Sequence, residues 1–395
     1  MLINTVKDWT SDFDHLDPTW VNNPFPLWDD LRRTCPIATT RRYGGVYLPT
    51  RYDHIRAIAY DPEHFSSRTI IVREKPLLKP FHAPPMTADA PYHRPARMLL
   101  LPGFTVAEAE RHRDGTRRMA QRLLAQVTET GRTDAARDYA YPLALSVMMR
   151  ILGLPSKDAA LFNAWTRAVV ITGITEPDVV ARGADEMAAY FQRQISERRE
   201  HPGDDLISRL LDARYQDVPA PTSHLVATLR LLVLAGIDTT ASVIGSALWH
   251  LAQHDKDRRV LQAQPDLIPR SVEEFLRAYA PTTMARQVAK TTDLGGVTFE
   301  RGHLVLLCFP AANRDPLVFD KPDTIDFLRD NRKSLAFGIG IHRCIGMHFA
   351  RMIIDVALRE WHASCPEFAI DDSSKVEWSP GTVRGPARLP IVFRA

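Results

Sequence analysis

Apolar residues recur at helical spacing over most of this chain. Between Thr105 and His254 the pattern is mostly amphipathic helix, with matching periodicity over Glu108 to Gln126 and again over Tyr141 to Leu152. Near Val169 to Ile174 a helix is expected to break before Pro177. The clearest helix begins after Pro221, with Thr222 or Ser223 as its N-cap, and runs towards Asp255. It is apolar on nearly every face in its middle, so it should be buried. At 1.5 Å per residue it would be about 50 Å long. Strand-like runs fall at Gly45 to Pro49, Gln287 to Ala289, His303 to Cys308 and Leu389 to Phe393, with a helix start at Asp53 to Ile58. The Pro-rich stretch Pro76 to Pro91 reads as irregular loop. No repeat or low-complexity linker divides the 395 residues, which read as one large domain, mainly α with small β-sheets.

Composition narrows the function classes. The formal charge of +3 is small for the length and no dense Lys/Arg block is present, so nucleic acid is not an expected partner. Met1 to Asp8 carries no long apolar run, and the longest one elsewhere, around Leu231 to Gly236, is too short to cross a bilayer. A cytoplasmic protein without a membrane partner is expected. The four cysteines, Cys35, Cys308, Cys344 and Cys365, lie far apart with no Cys-x-x-Cys pair. That spacing argues against a disulfide framework, a zinc ribbon and a plant-type iron–sulfur cluster. Any cysteine chemistry must come from one thiol acting alone.

Cys344 is the thiol with a distinctive setting. Gly338 and Gly340 precede it and Gly346 follows, in the run Phe337-Gly338-Ile339-Gly340-Ile341-His342-Arg343-Cys344-Ile345-Gly346. Such glycines let backbone bend tightly and approach a flat ligand. The pattern turns helical after Gly346, which would place the sulfur near a helix N-terminus, where negative charge is favoured. For a lone cysteine the plainer reading is a buried structural residue beside a turn. In the buried helix, Ala235-Gly236-Ile237-Asp238-Thr239-Thr240 sets a carboxylate and two hydroxyls among leucines. There the plainer reading is hydroxyls bonded back to carbonyls four residues earlier and an aspartate paired with a base.

The Phe-Gly-x-Gly-x-His-x-Cys-x-Gly spacing resembles the haem-binding signature of cytochromes P450, and Ala-Gly-x-Asp-Thr-Thr resembles their oxygen-binding motif. The resemblance implies the P450 fold over residues 1–395 and a haem b cofactor (iron protoporphyrin IX) whose iron is held by Cys344. It implies that Phe337 packs near the sulfur beside Gly338, and that His342 bonds a propionate. Thr239 would position water and Asp238 would relay protons from solvent. Glu274-x-x-Arg277 resembles the family's buried ion pair, with Arg329 as the third member. His93 and Arg97, four apart, and Arg286 resemble its propionate clamps, and Ala311 to Pro316 resembles the segment usual before the cysteine loop. Phe65 to Glu74 and Ala96 to Pro102 are similar to the haem domains of P450s fused to phthalate-type reductases.

The expected reaction is insertion of one oxygen atom from O2 into a small hydrophobic organic substrate, by hydroxylation or oxidative O-demethylation; desaturation or coupling is a close variant. Because the chain ends at Ala395, electrons are expected from a ferredoxin and an NAD(P)H-dependent reductase, or from a phthalate-type reductase. Arg332, Lys333, Arg343, Arg111, Arg113 and Arg117 are expected to form the docking surface. By analogy the pocket lies among Ile70 to Pro85, Val170 to Ile174, Leu232 to Thr239, Thr282 to Ala285 and Thr382-Val383. Arg68, Arg73, Lys75 and Lys79 could admit a carboxylate, although a solvent-facing loop is the simpler reading. The reading from another class is a thiolate-haem gas sensor without turnover, which would need no proton relay.

Overall fold

A computed structural model describes residues 6–73, 81–170, 176–216 and 218–393. Two short runs, Ile37–Thr40 (β1) and Val46–Pro49 (β2), pair antiparallel around a turn containing Gly44 and Gly45, both with positive φ. Phe65–Ser66 (β3), Thr283–Val288 (β4) and Leu304–Cys308 (β5) complete a five-stranded sheet in the order β1-β2-β5-β4-β3. Strand β5 runs parallel to β2 and antiparallel to β4, with Val305 opposite Arg286. Alternation along β4 decides what faces the site. Thr282, Met284 and Arg286 line the central cavity, while Ala285 between them is fully buried on the other side.

The helical body contains His93–Leu100 (α1), Arg113–Thr128 (α2), Tyr141–Leu152 (α3), Thr222–Gly236 (α4), Asp238–Gln253 (α5), Asp255–Ala263 (α6), Ile268–Ala278 (α7) and Met347–Ser364 (α8). Helix α8 packs along α2 and α7, and α5 lies against α3 and α8. Their shared core takes Val233, Ile244 and Leu248 from the central helix and Ile354, Leu358 and Trp361 from α8. Two further helices, Ala159–Val170 and Pro177–Glu200, flank the helix break expected near Ile174. Residues 171–175 of that break, and residues 74–80 of the Pro-rich loop, lie outside the described residues.

The long helix departs from expectation at three places. No side chain caps it: Pro221 occupies the cap position, its carbonyl accepting from His224 and Leu225 N–H. Thr222 is already inside, and its hydroxyl accepts from Arg199 at 2.7 Å instead. The helix is interrupted at Ile237 (φ −86°, ψ −66°) and stops at Gln253 rather than Asp255. Thr222–Gln253 is long and apolar enough to span a bilayer, whereas the uninterrupted run Leu231 to Gly236 is not. With 72% of its most apolar window buried, it is a core helix here. The periodic stretch Glu108 to Gln126 is likewise two helices, Val106–Arg111 and α2, because the chain bends at His112, whose N–H bonds Ala109 and Glu110 carbonyls.

Candidate active site

Phe337 to Gly346 forms a loop closed by the Cys344 N–H bonding the Phe337 carbonyl at 2.8 Å. Gly338 (φ +63°) and Gly340 (φ +74°) supply the left-handed turns, and a Cβ on Gly340 would sit 2.9 Å from the Ala59 carbonyl oxygen. Cys344 Sγ is exposed only in the sense that it faces a cavity; protein encloses it otherwise. Burial pushes its thiol pKa up, while the Gly346 N–H and Arg97, Arg351 and Arg343 pull it down. Gly346, two residues later, is the N-cap of α8, which adds the favourable end of its dipole. Phe337 lines the same cavity, with the Arg351 guanidinium 4.8 Å over its ring.

Three of the four predicted clamp residues, Arg97 from α1, Arg286 from β4 and His342 from the cysteine loop, line this cavity, and His93 packs against His342. His93 begins α1 and Arg97 lies one turn on, with Pro95 tolerated in the first turn. The His93 and His342 rings meet edge to face at 4.5 Å, and each leaves Nε2 buried without a partner. Arg97 donates to the Arg343 carbonyl at 2.7 Å. Arg286 is 6% exposed, and its hydrogen bond among the described residues goes to the neighbouring Ala285 carbonyl. Burial, then Arg286, His93 and Arg97, push His342 down to about 3; burial pushes Arg286 down to about 10 despite Asp89. Cationic groups gathered where water is scarce raise one another's cost, and a group bearing two carboxylates reverses that penalty. Orphaned ring nitrogens, an under-bonded arginine and a thiol facing one cavity fit haem as the resident group.

Across the cavity, Thr239 lines the wall at the helix interruption. Its Oγ1 donates to the Ala235 carbonyl at 2.7 Å, the back-bond of the plainer reading, which leaves oxygen lone pairs open to the cavity. Asp238 keeps Oδ2 buried and unpartnered, and burial lifts its carboxyl to about 7, with Arg167 opposing. What approaches Gly236 closely is Met148 Cε, which a Cβ there would strike. The cavity holds about 2080 Å³ of unfilled space, part of it open to solvent. Its lining agrees with the expected pocket at Ile70, Pro85, Leu232, Thr282, Thr382 and Val383; Ala285 does not reach it, and residues 171–174 lie outside the described residues. Arg73 does line it, whereas Arg68 is exposed beside Asp89 at 3.6 Å; Lys75 and Lys79 lie outside the described residues.

Beneath the cysteine loop the buried ion pair is built as predicted. Arg277 forks onto both Glu274 oxygens at 2.8 Å, and Arg329 donates to Oε1 at 3.1 Å. Asn331 adds a bond at 3.1 Å, and Asn313 Oδ1 accepts from the Leu335 N–H at 2.7 Å; neither residue stood out in the sequence, since amides carry no charge pattern. Burial pushes Glu274 up, but Arg277, the Asp326 N–H and Arg329 together bring it below its ordinary value. Of the predicted docking cations, Arg111 pairs with Asp204, Arg113 with Glu110 and Asp355, Arg117 with Asp114 and Glu360, and Arg332 with Asp330. Among the described residues Lys333 and Arg343 have no ion pair.

Similarity to known proteins decides the family. A family profile described as Cytochrome P450 matches residues 177–360. Mycinamicin IV hydroxylase/epoxidase of Micromonospora griseorubida is 32% identical over 377 residues, covering 93% of this chain and 94% of that protein. The chain belongs to the cytochrome P450 family. The biotin biosynthesis cytochrome P450 of Bacillus subtilis (strain 168) is 31% identical over 392 residues, covering 95% of this chain and 97% of that one. The solved structure of cytochrome P450 CYP101C1 superposes with a TM-score of 0.90 at 29% identity, covering 100% of each chain. The protein is thus a P450 monooxygenase, a haem-thiolate enzyme that uses O2, an organic substrate and a redox partner.

Proposed function

We propose that this P450 uses haem b to hydroxylate or oxidatively O-demethylate a small hydrophobic organic substrate. The observation that carries the reading is a largely apolar cavity with the Cys344 thiol on one side and Thr239 on the other. When bound, haem supplies oxygen activation at a thiolate-ligated iron, where the sulfur's electron density favours O–O cleavage. Cys344 provides that sulfur, held by the Gly338 and Gly340 turns. His93, Arg97, Arg286 and His342 hold the two propionates, and Phe337 shields the thiolate from water. Ile70, Phe81, Leu232, Val243 and Val383 exclude water around the substrate.

Proton supply falls to Asp238 and Thr239. A carboxyl lifted to about 7 is close to half-protonated at neutral pH, so it can both give and take a proton. Thr239 Oγ1, anchored on Ala235, accepts a hydrogen bond from water and holds it over the reacting centre. Electrons come from a small acidic ferredoxin and its NAD(P)H-dependent reductase, or from a phthalate-type reductase, and the protein works in the cytoplasm. The gas-sensor reading is not carried further, because relatives such as 6-deoxyerythronolide B hydroxylase are named for turnover. The test is a screen of small apolar compounds by Soret shift, followed by NADPH-driven turnover with a ferredoxin system. A shift followed by oxygenated product supports the reading; ligands that shift the band but are never oxidised overturn it. Thr239→Ala should divert oxygen consumption to hydrogen peroxide, and undiminished product per NADPH in that variant would sink the relay.

A further inference from the structure

We propose that His250, His254 and Asp257 form a binding site for a zinc-class divalent cation where α5 meets α6. One ligand atom from each residue lies within 4.8 Å of the other two, and His250 Nε2 is 2.7 Å from Asp257 Oδ2. A tetrahedral cation about 2.0–2.1 Å from each donor needs donors about 3.3 Å apart, which small side-chain rotations reach from this arrangement. Two imidazoles and one carboxylate are a donor set that zinc accepts, leaving a fourth position to water.

Three features of the surroundings favour a cation here. The His254 ring stacks on His250 at 4.1 Å, so the second nitrogen donor stands beside the first before any metal arrives. Tyr279 Oη lies 2.8 Å from His250 Nδ1 and can accept its proton, which frees Nε2 to ligate. Helix α5 stops at Gln253 with His254 as its C-cap, and its terminal carbonyls place negative partial charge at the site. His254 is exposed and Asp257 half-buried, which leaves a way in from solvent. Without metal the same atoms close a Tyr279–His250–Asp257 chain of hydrogen bonds in which the His254 ring has no part. Twelve residues of helix, about 18 Å, separate His250 from Asp238, so the cation would clamp α5 to α6 rather than touch the reaction.

The test uses the full-length haem-loaded protein, stripped with a chelator and titrated calorimetrically with Zn²⁺. His250 is buried and its replacement endangers the fold, so the variants are His254→Ala and Asp257→Asn, each first shown to keep the parental Soret band. The expected result is one saturable site per chain, weakened at least tenfold in each variant. Zn²⁺ should also raise the thermal midpoint of the parent and not that of the variants, without moving the Soret band. No saturable binding, or binding that both variants retain unweakened, would overturn the site.

Discussion

Asp238 is the residue whose surroundings say most about its chemistry. Burial lifts its carboxyl from 3.8 to about 7, with only Arg167 acting in opposition. A folded-state pKa above the unfolded one means the native protein binds this proton more tightly. Stability contributed by Asp238 is therefore present at low pH, falls as pH rises from about 4 to 7, and is fully lost above. Asp238→Asn removes that penalty, so its thermal midpoint should exceed the parent's at pH 8 and by clearly less at pH 5. A difference independent of pH would show that the carboxyl is not held protonated. Glu274 is the opposite case, a buried charge compensated by two arginines, an amide and a backbone N–H. Glu274→Gln leaves Arg277 and Arg329 uncompensated and should cost about 3–5 kcal/mol in chemical denaturation, against a negligible change for Asp330→Asn at the exposed Arg332 pair.

At the scale of elements, the cysteine loop depends on backbone shape more than on side-chain bonds. Ala at position 340 would combine a positive φ with a Cβ 2.9 Å from the Ala59 carbonyl, and neither backbone can yield cheaply. Gly340→Ala should therefore lose haem during purification, read as a fallen Soret-to-280 nm ratio, while Gly296→Ala, also at positive φ but with open space around it, should retain it. Elements with one strong periodicity were legible in advance: Tyr141–Leu152 and the strands at Val46–Pro49 and Leu304–Cys308 fall where the pattern puts them. Boundaries set by distant partners were not. Thr222 looks like a cap until Arg199, 23 residues away, takes its hydroxyl. The break at His112 carries no proline or glycine of its own to announce it, and Gly236 before Ile237 is equally compatible with an unbroken helix.

Across the whole molecule, the residues assigned to the haem lie up to 251 positions apart, His93 to Cys344, and each motif is readable because it is local in sequence. Proximity between motifs was not readable: the His93–His342 contact and the Arg97 bond to the Arg343 carbonyl belong to the fold. The expected docking surface shows the same limit in terms of charge. Counting arginines and lysines near Cys344 gives six cations, but Arg111, Arg113, Arg117 and Arg332 are each held by carboxylates of the chain itself, which leaves little net field to steer a partner. Lys333 and Arg343 have no ion pair among the described residues, and Arg343 lies one residue from the sulfur on a cavity-lining loop. An acidic donor should thus feel Arg343 far more than Arg117. Arg343→Gln should slow first-electron transfer from a ferredoxin severalfold and flatten its dependence on ionic strength, whereas Arg117→Gln should change neither by more than about twofold. Stopped-flow reduction under carbon monoxide at low and high salt measures both. Equal effects of the two substitutions would mean that the paired arginines open to meet the donor.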